Sequence, residues 1–260
     1  MIPGGLAARL AAGDTVFTAW SGLPDALAVE ALAATAMDAV TLDMQHGGHH
    51  EDSVLRAIAP IAAAAKPALV RVPVGRFDMA SRALDFGAQG VIAPMVNSLA
   101  DARAFAASMK YPPVGQRSWG PGFAMDRLGD GGDASGWMRR SDAGTLAFAM
   151  VETREALAIV DDILSVPGID GVFVGPSDFS IAWTDGATMD ASLEDMMQAI
   201  GHIAARARAA GKHAGIYVVD PALVGRYVAM GYRLIAIGGE SRYMALGVAS
   251  LLERARASIG

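Results

Sequence analysis

The chain contains no cysteine, which excludes a disulfide framework, a thiolate metal site and a cysteine nucleophile. Any metal must rest on oxygen or imidazole ligands. It also lacks any block of Lys or Arg, and its formal net charge is -6. That balance argues against nucleic acid or an anionic membrane as a partner. No apolar run reaches about 18 residues without a charge or a Gly/Pro break, so no membrane span is expected. The opening stretch MIPGGLAARLAAGD does not have the make-up of a signal peptide, and a soluble, cytoplasmic protein is expected. Only three lysines occur, Lys66, Lys110 and Lys212.

What is present is apolar: 53% of the 260 residues are hydrophobic and only 18% are charged. This length fits one barrel or two small domains. The low charge points to surface buried between subunits, with alanine-rich helices as the plainer explanation. Strand-like apolar runs alternate with helical stretches throughout, the pattern of repeated βα units. Eight strands are expected near 15–20, 39–44, 68–73, 90–95, 146–151, 169–175, 213–218 and 233–238. Helices fall between them, at 24–36, 51–65, 98–109, 153–164, 192–210, 221–230 and 241–257. Gly87, Gly211 and Gly231 stand where helices must stop, and Pro24 and Pro221 where they start. No GxGxxG follows the first strand, so the expectation is a single α/β domain over 1–260, a (β/α)8 TIM barrel rather than a dinucleotide-binding sheet. The long stretch 110–144, with Gln116, Arg117 and Trp119, is read as a loop on the catalytic face, its first half an active-site wall and GDGGDASG a mobile or interface segment.

Polar residues at the ends of the strands carry the chemistry. Asp43 and His46 in TLDMQH, Arg71 in ALVRVP, Glu152 in AFAMVE and Asp178 in GVFVGPSD would all converge on one mouth. Glu152 and Asp178 close consecutive strands and suit one Mg²⁺ or Mn²⁺ ion with open positions; helix capping is the alternative for each. An Asp43 contact would fix the tautomer of His46 and make it a general base, whereas His49 and His50 read as ordinary polar groups. Arg71 inside an apolar run must be paired or face a polar cavity, holding either an oxyanion or a barrel aspartate. IGGES at 237–241 has the look of a weak phosphate site. The lysines all map away from the mouth, which disfavours imine chemistry.

In series, LDMQH, VRVP, PMVNS with YPPVGQR, VETREAL and GIDGVFVGPSDFS resemble the HpcH/HpaI aldolases, metal-dependent pyruvate aldolases related to the citrate lyase β subunit. The resemblance covers nearly the whole chain. It implies a pyruvate-type barrel with Glu152 and Asp178 on a divalent metal, Mg²⁺ or Mn²⁺, with Co²⁺ and Zn²⁺ as further candidates. It makes His46 the proton acceptor, Arg71 the holder of the enolate oxygen, Asp43 a member of the catalytic set and Asp85 a residue that raises the basicity of the histidine. Gly175, Pro176, Ser177 and Asp178 would meet the substrate, with Trp20 and Val218 at the aldehyde side. The family assembles as a hexamer with an exchanged C-terminal helix. Two positions depart from it: Met150 where a glutamine is usual, and Gly115-Gln116-Arg117-Ser118 where the family has Gly-x-Arg-Gly. The function implied is a class II aldolase that reversibly splits a 4-hydroxy-2-oxo acid into pyruvate, or hydroxypyruvate, and an aldehyde. A lyase acting on a CoA thioester and a non-catalytic barrel that binds a 2-oxo acid are the alternatives.

Overall fold

The computed structural model describes residues 5–129 and 133–259. Eight parallel strands close in sequence order: β1 (Val16–Ser21), β2 (Ala39–Asp43), β3 (Ala68–Arg71), β4 (Gly90–Ala93), β5 (Leu146–Met150), β6 (Gly171–Val174), β7 (His213–Val218) and β8 (Leu234–Ile237). Around them lie α1 (Leu6–Ala11), α2 (Ala26–Ala33), α3 (Glu51–Ala63), α4 (Phe77–Phe86), α5 (Leu99–Met109), α6 (Gly122–Leu128), α7 (Ala134–Gly144), α8 (Arg154–Ala158), α9 (Val160–Ser165), α10 (Pro176–Trp183), α11 (Glu194–Ala209), α12 (Val224–Met230) and α13 (Glu240–Ala257). This is the expected (β/α)8 barrel.

Strand alternation builds two apolar layers. Inward residues such as Leu69, Ile92, Phe148, Phe173 and Leu234 fill the barrel, while Val40, Val70, Val91, Val172 and Ile235 pack outward beneath the helices. α1 closes the end of the barrel formed by the strand N-termini: Leu6 and Leu10 are buried in the inner layer, and the Leu6 amide donates to Gln89 Oε1. Helices α4 and α12 stop at Gly87 and Gly231, whose φ values of 111° and 115° are open to glycine at little cost.

The stretch 110–144 is not a loop on the catalytic face. It follows α5 and not β4, so the chain has already returned to the strand N-termini when it begins. There Lys110 Nζ donates to the Thr145 carbonyl (2.7 Å) and pairs with Asp170, and the segment folds into α6 and α7. Buried Arg117 anchors it through Asp85 Oδ1 (2.7 Å) and lies over the Tyr111 ring. Residues 130–132 of GDGGDASG lie outside the described residues.

Among the described residues, α13 differs from the other long helices. None of its 18 residues is buried, and Met244, Leu246, Val248, Leu251 and Leu252 stand exposed. No helix of the described residues is long and apolar enough to cross a membrane.

Candidate active site

The strand register brings Asp43 and Arg71 side by side as paired neighbours of β2 and β3. Arg71 Nε donates to Asp43 Oδ1 (2.8 Å) and Nη2 to Oδ2 (2.6 Å), a two-point ion pair buried at the mouth. Trp20 Nε1, from the end of β1, donates to the same Oδ2 (3.1 Å), and its ring lies under the guanidinium, 4.9 Å from Cζ. Burial pushes the Asp43 carboxyl up, but Arg71 together with the Gln45 and Trp20 donors outweighs it, and the group ionises below its ordinary value. Asp43 is thus a fixed anion that holds the arginine fork in one plane.

Of the alternatives left open for Arg71, the structure shows the pair with a barrel aspartate. The arginine also lines the cavity, its Nη1 left over from the pair. The expected contact between Asp43 and the His46 ring is replaced by another. Asp43 Oδ1 accepts from the backbone amides of Gln45 (3.0 Å) and His46 (3.3 Å). The carboxylate therefore shapes the turn after β2, and the turn aims the imidazole into the cavity.

Glu152, just past β5, is buried to 1% exposure. Its Oε1 accepts from the Met95 amide (2.9 Å), and its Oε2 is buried without a hydrogen-bond partner. Burial pushes its carboxyl up to about 7, opposed by the Met95 amide and reinforced by the negative charge of Asp178. It does not cap a helix, because Thr153 takes that place and accepts from the Ala156 amide. Met95, which makes this bond, has φ 53°, a left-handed conformation that costs about 1 to 3 kcal/mol in a non-glycine residue. Gly175 leaves room here: a Cβ would stand 2.5 Å from Glu152 Oε2 and 2.9 Å from Met150 Cε, so those side chains would have to shift.

Asp178 lies in the first turn of α10, entered through Gly175 and Pro176, and its side chain makes no capping bond. Gly175, Pro176, Ser177 and Asp178 join Trp20, Asp43, His46, Arg71 and Met150 around a cavity of about 280 Å³. The chemistry of this donor set suits a hard divalent cation: an orphaned, desolvated carboxylate oxygen near a second carboxylate, Asp178, that lines the cavity. Among the described residues no group of three His, Asp or Glu surrounds one point, so any ion here would draw its other ligands from water and substrate.

Two expected members stand elsewhere. Asp85 ends α4, and helices run back toward the strand N-termini, so it lies at the closed end of the barrel, paired with Arg117. Val218 faces the outer apolar layer; alternation along β7 turns Tyr217 inward instead, and Tyr217 and Phe173 line the cavity. His49 is no ordinary surface group. It is buried to 4% exposure between Ser21 Oγ (2.9 Å) and Ser53 Oγ (3.1 Å), a fact its sequence neighbours did not signal. At IGGES, Glu240 turns its carboxylate to the Gly22 amide (2.9 Å), so this stretch places an anion at the start of α13. Lys110 and Lys212 bond carbonyls at the closed end, Lys110 to those of Asp142 and Thr145 and Lys212 to that of Val166, while Lys66 bonds the Thr35 carbonyl on the outside.

Fold and site together define a barrel enzyme whose carboxylates, histidine and arginine meet at the C-terminal ends of the strands. The profile described as HpcH/HpaI aldolase/citrate lyase matches residues 17–245, and the chain belongs to that family. A hydroxypyruvate/pyruvate aldolase of Rhizorhabdus wittichii is 35% identical over 94% of this chain and 96% of its own. A 4-hydroxy-2-oxo-heptane-1,7-dioate aldolase of Salmonella dublin is 31% identical over 94% and 92%. The solved HpcH/HpaI aldolase of Desulfitobacterium hafniense superposes with a TM-score of 0.88 at 24% identity, covering 97% of this chain and 96% of that one, and shows the same fold. The chain is accordingly a carbon–carbon lyase of the aldolase type.

Proposed function

We propose that this chain, working as one domain over 1–260, is a divalent-metal-dependent aldolase that reversibly cleaves 4-hydroxy-2-oxo acids to pyruvate or hydroxypyruvate and an aldehyde. The observation that supports the reading is Glu152 Oε2, buried without a hydrogen-bond partner within electrostatic reach of Asp178, which with Arg71 and His46 lines the cavity. Glu152 and Asp178 would hold Mg²⁺ or Mn²⁺, with Co²⁺ and Zn²⁺ less suited to an all-oxygen pair. Such an ion supplies Lewis-acid polarisation of the keto group of the donor.

The other roles fall to side chains. His46 takes the proton from the 4-hydroxyl as the C3–C4 bond breaks and the aldehyde leaves. The electrons of that bond pass to the donor's enolate, and Arg71 Nη1 meets its oxygen while Asp43 keeps the fork from turning away. His46 then returns the proton to C3, completing pyruvate. Ser177 and the Gly175–Pro176 turn flank the donor carboxylate, and Trp20 and Tyr217 bound the aldehyde side. Asp85 and Val218 have no part in the single-chain site.

Pyruvate methyl-proton exchange in D₂O tests this reading. Exchange should require added Mn²⁺ or Mg²⁺ and vanish in His46→Ala. Absence of exchange with both pyruvate and hydroxypyruvate would remove it in favour of CoA-thioester chemistry.

A homo-oligomer, a hexamer with exchanged C-terminal helices, is also proposed. The exposed apolar residues of α13 support it, as does a groove of about 510 Å³ between α2 and the foot of that helix, lined by Leu23, Ala28, Leu32 and Met37.

A further inference from the structure

Glu240 begins α13 shortly after β8, yet its carboxylate serves the end of β1 and the turn that follows it. Oε1 accepts from Ser21 Oγ (2.5 Å) and the Leu23 amide (3.4 Å), and Oε2 from the Gly22 amide (2.9 Å). A carboxylate accepts only, so the Ser21 hydroxyl proton is committed to it, and Ser21 Oγ must accept from His49 Nε2. The network thereby places a proton on His49 Nε2, while its Nδ1 stands 3.1 Å from Ser53 Oγ, whose hydroxyl donates to the His50 carbonyl (2.9 Å). Burial lowers the pKa of this imidazole, outweighing the nearby charges of Glu240 and Asp43 that raise it. Ser21 is fully buried, with its proton directed away from the histidine, so the trio is not set up for nucleophilic attack.

The relay closes one turn upon another. The Gly48 amide donates to the Gly22 carbonyl (2.7 Å), and a Cβ on Gly47 would stand 2.9 Å from the Gly22 Cα and 2.5 Å from the Asp43 carbonyl. The turn held this way is 44–50, which carries His46. Asp43 fixes its first half; His49, through Ser21 and Glu240, fixes its second.

We propose that Glu240, Ser21 and His49 are positioning residues that hold the His46 turn from the foot of α13. The inference rests on the reading of His46 as the proton acceptor. A shift of the imidazole by a fraction of its hydrogen-bond length is enough to matter, since misplacing a catalytic group by about 1 Å costs about 100-fold.

The test combines backbone hydrogen exchange with steady-state cleavage of a 4-hydroxy-2-oxo acid in the presence of Mn²⁺, for Ser21→Ala, Glu240→Gln and Ser21→Thr. In the first two, exchange at the Gly48 amide should quicken roughly fivefold to tenfold while the β3 and β5 amides stay as they are, as expected for the loss of one hydrogen bond. Their kcat should fall about 10- to 100-fold with KM within about twofold. Ser21→Thr, which retains the hydroxyl, should restore both. If Ser21→Ala does not fold, the near-isosteric Glu240→Gln carries the test. Unchanged Gly48 exchange, or faster exchange with unchanged kcat, overturns the proposal. A wild-type protein that neither cleaves nor exchanges donor protons fails the aldolase reading, and a loosened Gly48 would then still support the clamp.

Discussion

At the scale of single residues, the site depends on groups that are costly to bury and are compensated locally. Arg71 is held by two bonds from one carboxylate and by the face of Trp20. Lysine cannot reproduce a planar fork. Arg71→Lys is expected to fold, with cleavage kcat reduced about 100-fold or more, while Arg71→Ala, which strands Asp43 as a buried charge, should lose about 3 to 5 kcal/mol in denaturant unfolding. Glu152 sets a pH dependence. Its carboxyl ionises near 4.5 in the unfolded chain and at about 7 in the folded one, so between those values the folded state binds more protons. Stability of the metal-free protein, kept so with a chelator, should therefore be full below about pH 4.5 and fall as pH rises to about 7, by about 3 kcal/mol from this group. Urea titrations of wild type and Glu152→Gln across that range isolate the effect, and an equal slope in both would refute it. Metal affinity should run the other way, rising toward pH 7 as Glu152 gives up its proton.

At the scale of elements, the strand ends place the chemistry and the connections tune it. The turn from β6 into α10 passes close to Glu152 Oε2 and Met150 Cε, so a Cβ at position 175 would force one or both of these side chains to shift. Gly175→Ala should weaken Mn²⁺ binding, measured by calorimetry, by about tenfold or more and cost about 1 to 3 kcal/mol through overpacking. At the opposite end, α1 contributes Leu6, which is fully buried among the inner barrel residues. Leu6→Ala should cost about 2 to 5 kcal/mol in unfolding while leaving kcat/KM unchanged. The separation follows from barrel architecture, where one end carries stability and the other carries catalysis.

At the scale of the whole molecule, α13 is an 18-residue helix without a buried residue of its own. In the proposed oligomer its apolar side is covered by another copy, so Leu251→Asp with Leu252→Asp should shift the mass measured by light scattering toward the single chain; an unchanged mass would exclude α13 from such an assembly. The repeated βα order, the closed barrel and the strand-end residues Asp43, Arg71, Glu152 and Asp178 were legible in the sequence, because hydrophobic periodicity and chain order dictate them locally. The stretch 110–144 was misplaced because the direction of the chain at its start, out of a helix rather than a strand, decides which end of the barrel it reaches. Val218 and Tyr217 could not be told apart without the phase of β7. The bidentate hold of Asp43 on Arg71, the isolation of Glu152 Oε2, and the reach of Glu240 across 219 residues of sequence to Ser21 belong to the tertiary structure alone. Periodicity tells which residues are buried, but which buried groups face each other depends on barrel closure, when strands far apart in sequence become neighbours.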